Sequence, residues 1–153
     1  MRLLIILALG LGGSFPAAAA ETPETTPLKA TVYKSPTCGC CSKWEKHLED
    51  NGFTVDSHPT QDMAGLKSKY HIPTAARSCH TAMIGNYIVE GHVPASDIKK
   101  LLEKHPAGVV GIAVPGMPTG SPGMEGGAGE IDPYDVVTFD AKGKTTVFSH
   151  HDK

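Results

Sequence analysis

The stretch LKATVYKSPTCGCCSKWEKHLEDNG, residues 28–52, decides the fold. LKATVYK has a strand pattern, SPTCGCC is a turn, and SKWEKHLEDNG places Trp44 and Leu48 four residues apart, on one helical face, ahead of a helix-stopping Gly52. A strand therefore runs through a cysteine-rich turn into a helix. Three of the chain's four cysteines sit in that turn, with Cys38 and Cys41 in C-x-x-C spacing and Cys40 between them.

Downstream the same unit recurs. FTVDS alternates Phe53 and Val55 inward as a second strand, and TQDMAGLKSKYHI puts Met63, Leu66 and Tyr70 on one helical face before Pro73. TAMIGNYIVE reads as two short strands around a Gly85-Asn86 turn, and VPASDIKKLLEKHP as a helix with Pro94 near its start and a buried stripe of Ile98, Leu101 and Leu102. The order β-α-β-α-β-β-α, with C-x-x-C at the first strand-to-helix junction, predicts an α/β, thioredoxin-like three-layer fold. After Pro106 a short apolar run enters a Met/Gly/Pro loop, and YDVVTFDAKGKTTVF predicts a C-terminal β-hairpin extension around residues 140–143.

The 153 residues, 40% of them hydrophobic, suit one compact domain, set at 28–149. A formal charge of −2 gives no basic surplus for nucleic acid or anionic lipid. Residues 1–20 read as a signal peptide: Arg2 precedes an apolar run from Leu3 to Leu11 and small residues ending at Ala20. That run is too short for a hydrocarbon core of roughly 30 Å. Residues 21–27 form a proline-broken flexible leader. The expected product is periplasmic, with no membrane attachment after the signal is removed.

In the thioredoxin layout Cys38 lies at a helix N-terminus, where unpaired N–H groups favour thiolate. The loop before the hairpin's first strand, which usually holds a cis-proline, is here SCHT, so Cys79 should face the other three cysteines. Four cysteines in an exported chain allow two structural disulfides, a dithiol exchanger or a metal site, and spacing alone leaves all three open. Each has a chemical consequence. A Cys38–Cys41 exchanger would leave Cys40 as a thiol able to attack the bridge. Four thiolates carry about −4 of charge, which several bridging Cu(I) ions, soft and thiolate-seeking, would offset. Zinc suits separated ligand pairs better than three donors on one turn.

SPTCGCCSKWEKHL, SCHTAMIGNYIVEGHVPASDIKKLL and GIAVPGMPTGSPGME together resemble the exported, thioredoxin-like family of the copper-resistance protein CopG, over residues from about 28 to 125. The resemblance implies a multinuclear Cu(I) cluster ligated by Cys38, Cys40, Cys41 and Cys79, with a part in copper oxidation-state chemistry that could make the protein a copper oxidoreductase. It implies copper ions as the cargo, and other periplasmic copper-resistance proteins or an electron-transfer partner as company. A periplasmic thiol-disulfide oxidoreductase using Cys38 and Cys41 is the alternative.

Met117 and Met124, seven apart in the Gly/Pro loop, are soft thioethers that can serve as additional ligands or as a packed lid. Met63 and Met83 fit core positions. His92 is the preferred supporting residue, and His80 adjoins Cys79; either can orient a sulfur or bind Cu(II). His150-His151 reads as a frayed terminus able to catch metal loosely, Trp44 as core, and Glu90 as a solvated charge.

Overall fold

The computed structural model describes residues 27–126 and 131–152. The expected signal peptide (1–20) and leader residues 21–26 lie outside them. The chain forms β1 (Leu28–Lys34), α1 (Gly39–Asp50), β2 (Phe53–Pro59), α2 (Met63–Lys69), a 3-10 turn (Thr74–Ala76), β3 (Thr81–Ile84), β4 (Tyr87–Glu90), α3 (Ala95–Lys104), β5 (Val109–Ala113), β6 (Tyr134–Asp140) and β7 (Thr145–His151). The order through α3 is the expected β-α-β-α-β-β-α.

Among the described residues all seven strands join one sheet in the order β2-β1-β3-β4-β5-β6-β7. β1 and β2 are parallel, as a strand-helix-strand crossover requires, and β3 runs antiparallel to β1. β3 and β4 pair through the two-residue turn, where Gly85 takes the left-handed φ of +57° that such turns need. β5 lies parallel to β4, and the β6–β7 hairpin extends the sheet beyond it.

Side chains alternate across the sheet, so both faces are covered. On one face Trp44 and Leu48 of α1 and Ile98 and Leu101 of α3 pack with Val32, Ile84, Val89, Ile112 and Val136. On the other, Ile72 and Ala76 pack with Ala113 and Phe139, and Tyr70 rests on that cluster. No helix among the described residues is long and apolar enough to cross a membrane.

Three expectations need correction. The α2 face of Met63, Leu66 and Tyr70 is only half-buried, as is Met83; the buried residue of α2 is Lys67, which has an ion-pair partner inside the sheet. Glu90, expected in solvent, is that partner and is fully buried. His150 and His151 are not frayed: β7 carries both, and the His151 ring stacks on Tyr134 while Nε2 lies 2.7 Å from the buried Asp97 carboxylate.

Candidate metal centre

Cys38 occupies the N-cap of α1, and Cys40 and Cys41 its first turn. Cys38 caps with no side-chain hydrogen bond, and no acidic residue occupies that turn, so the positive end of the helix dipole is left to the sulfurs. Cys79 arrives from the loop preceding β3. Cys38 and Cys41 form a disulfide with Cα atoms 5.4 Å apart, while Cys40 and Cys79 are free thiols. The four cysteines thus make one bridge, not the two of the purely structural alternative.

Each free thiol stands beside one half of that bridge. Cys40 Sγ is 3.5 Å from Cys38 Sγ, and Cys79 Sγ is 3.7 Å from Cys41 Sγ. All four sulfurs lie within 4.8 Å of one another. Reduction of the bridge would leave four soft donors in one nest, the donor type that thiophilic metals select.

Two imidazoles complete the surroundings of Cys79. Its Sγ is 3.1 Å from His80 Nδ1 and 3.0 Å from His92 Nε2, and these three groups are also mutually within 4.8 Å. The tautomer of His92 follows from its other nitrogen. Nδ1 lies 2.7 Å from the Pro122 carbonyl, which can only accept, so Nδ1 carries the proton and Nε2 turns a lone pair to Cys79. The single thiol hydrogen then goes to His92. His80 Nδ1 donates to the sulfur in turn, and His80 Nε2 is buried without a partner among the described residues. The His80 ring packs against Trp44 at 4.3 Å and edge-on to His92 at 4.9 Å, and Trp44 is fixed by its own 2.9 Å bond from Nε1 to the Val93 carbonyl.

Burial governs the protonation states. It raises the Cys79 thiol to about 11, with further help from Cys40. It also drives His80 well below the usual imidazole range, assisted by His92 and Lys67, and lowers His92 against the opposing Pro122 carbonyl and Glu125. The metal-free centre therefore holds neutral imidazoles around a protonated Cys79.

The Met/Gly/Pro loop closes one side. Gly123, at φ +87°, sits so near α1 that a Cβ there would approach the Cys40 carbonyl to 2.7 Å and the Trp44 nitrogen to 2.9 Å. This contact brings the Pro122 carbonyl onto His92. Of the two loop methionines, Met117 is at the surface, 52% exposed, whereas Met124 is half-buried and its N–H donates to the Ser121 carbonyl at 2.8 Å.

Two solved structures, Form 1 and Form 2 of copper resistance protein CopG, are 47% identical to this chain, each with a TM-score of 0.77. The match covers 83–84% of this chain and 100% of theirs. The chain belongs to the CopG family. A family model described as a protein of unknown function, DUF411, also matches residues 76–124, the segment from Ala76 through Met124 that brings Cys79, His80 and His92 together. No curated protein matches the sequence.

Within this CopG fold, four sequence-predicted cysteines and His92 converge. Sequence reasoning missed the Pro122 carbonyl and the buried Lys67–Glu90 pair next to Cys79. The Pro122 contact depends on the path of an irregular loop. The burial of Glu90 was legible only in part: Glu90 ends a strand whose other residues are apolar, but its cation lies 23 positions away.

Proposed function

We propose that this chain is a periplasmic copper-resistance protein that holds a multinuclear Cu(I) thiolate cluster on Cys38, Cys40, Cys41 and Cys79 and cycles copper between Cu(I) and Cu(II). The observation that carries this reading is the convergence of all four sulfurs within 4.8 Å, two of them free thiols. The name of its structural relatives, copper resistance protein CopG, supports copper as the metal. The signal-peptide pattern of residues 1–20 supports export.

Loading begins with reduction. The Cys38–Cys41 bridge takes two electrons and two protons from a thiol reductant and becomes two thiols, and Cu(I) then displaces a proton from each cysteine it binds. The N-terminus of α1 favours the resulting thiolates. His92 Nε2 offers a nitrogen lone pair beside Cys79, which suits Cu(II) better than a purely sulfur set and so assists oxidation-state exchange. Met117 and Met124 are soft donors on the loop that covers the centre. An electron-transfer partner or another copper-resistance protein would meet the exposed Pro36-Thr37 edge.

One observation favours a second reading, thiol-disulfide exchange: Cys38 and Cys41 already form a bridge at a helix N-terminus. Reconstitution separates the two. The reduced mature chain should bind several Cu(I) ions and lose stoichiometry on Cys79→Ser. Failure to bind Cu(I), together with Cys38-dependent reduction of a test disulfide, would establish the exchanger instead.

A further inference from the structure

Cys79 lies in a loop without regular structure, yet its position is fixed from both sides by one buried side chain. Glu90 Oε1 accepts the Ser78 backbone N–H at 2.7 Å, and Oε2 accepts the Thr81 hydroxyl at 2.6 Å. The two oxygens of a single carboxylate therefore grip the residues that bracket Cys79-His80. Glu90 can do this because Thr81 and Glu90 are register partners across β3 and β4. Lys67 of α2 completes the set, donating to Glu90 and, at 3.0 Å, to Thr81. Glu90 is fully buried and the Lys67 side chain is 8% exposed.

A buried ion pair is an expensive way to stabilise a fold, because the desolvation of both charges offsets most of their attraction. Apolar residues of similar volume would serve stability as well. What they could not supply is an acceptor for Ser78 N–H on one side of Cys79 and for Thr81 on the other.

We propose that Glu90 is a positioning residue for the metal centre, with Lys67 as its buried partner, and that its grip preassembles Cys79 opposite Cys41 before copper arrives. The inference rests on the copper reading above. A preassembled ligand loses less conformational freedom on binding, so the clamp raises Cu(I) affinity while touching no copper itself.

Two double variants distinguish positioning from stability. Lys67→Met with Glu90→Gln removes both charges yet keeps the clamp, since the amide oxygen can accept Ser78 N–H and the amide NH2 can donate to Thr81. Lys67→Met with Glu90→Leu removes the charges and the clamp together. Cu(I) affinity is measured by competition with a colorimetric Cu(I) chelator, stability by urea unfolding, and the loop itself by amide exchange at Ser78 in metal-free protein. The Leu pair should lose affinity by about 10-fold or more and lose Ser78 protection, whereas the Gln pair should stay within about 3-fold of the parent. Equal affinity and equal protection in both pairs would overturn the proposal. Should the Leu pair not fold, Thr81→Val opens one side of the clamp alone, and an unchanged affinity there would also overturn it. A parent protein that binds no Cu(I) would refute the copper reading, while Ser78 exchange would still report on the clamp.

Discussion

Cys79 Sγ lies 3.7 Å from Cys41 Sγ although 38 residues separate them in sequence. The helix N-terminus and the loop before β3 meet there, so the donor set is a product of the fold and not of the C-x-C-C turn alone. Replacing Cys40 tests this division. Cys40→Ser leaves the Cys38–Cys41 bridge and Cys79 in place but removes the thiol 3.5 Å from Cys38. Reduced Cys40→Ser should bind fewer Cu(I) ions per chain than the parent while keeping its urea midpoint. An unchanged copper count by elemental analysis would remove Cys40 from the ligand set.

His92 joins two roles, through Nε2 to Cys79 and Nδ1 to Pro122. His92→Ala should therefore lower copper affinity by about 10-fold, in the range that outer partners of a ligand command. It should also accelerate amide exchange at Gly120 and Met124, whose bonds close the loop turn. Nitrogen coupling in the resonance spectrum of a Cu(II)-loaded sample should weaken in the same variant. A variant that changed loop exchange but left affinity and spectrum alone would confine His92 to holding the loop.

Gly123 is where the loop is least tolerant. An Ala side chain there meets backbone of α1 on two sides and must keep a left-handed φ, so the loop has to lift. Gly123→Ala should cost about 1–3 kcal/mol in urea unfolding and slow copper loading. Equal stability would mean that the loop does not press on α1.

The first strand, the cysteine turn, the α1 face of Trp44 and Leu48 and the Gly85-Asn86 hairpin were all legible because each depends on residues a few positions apart. Convergence of Cys79 on the turn was legible through the layout those elements form. Other parts were not. Glu90 at a strand end reads as a solvated charge and nothing in the α2 pattern marks Lys67 as buried, since the burial of either charge depends on the other. His151 likewise reads as a tail residue, because its partner Asp97 is 54 positions away. Local pattern sets the elements, whereas paired buried charges appear only once tertiary contacts are known.

Neutral histidines inside the centre give stability a pH dependence of definite sign. Burial holds His80 well below its ordinary value of 6.5, while the unfolded chain takes up a proton near that value. Above pH 6.5 neither state binds the proton, and below it only the unfolded state does. Stability should therefore fall as pH drops below about 6.5, by up to about 1.4 kcal/mol per pH unit for each histidine so held. Urea titrations of metal-free protein between about pH 7.5 and 5 measure the slope, and His80→Gln should flatten it. An identical slope in that variant would show that His80 accepts its proton in the folded state.

Asp97 offers a test on the far side of the molecule. It is fully buried in the first turn of α3, where a carboxylate also complements the helix dipole. Oδ2 meets His151 Nε2 at 2.7 Å and Oδ1 meets Lys100 Nζ at 3.3 Å. The stacked Tyr134 and His151 rings, 4.9 Å apart, place that contact at the end of the β6–β7 hairpin. Asp97→Ala should cost about 1–3 kcal/mol, the range for losing a buried charged acceptor. Because His151 and Lys100 can turn to water, the damage should stay local: β7 amides should exchange faster while those of β1 keep their protection. Copper stoichiometry should not change, since Asp97 touches none of the four cysteines or their histidine partners. Loss of copper binding in Asp97→Ala would instead show that the hairpin extension and the metal centre are energetically coupled across α3.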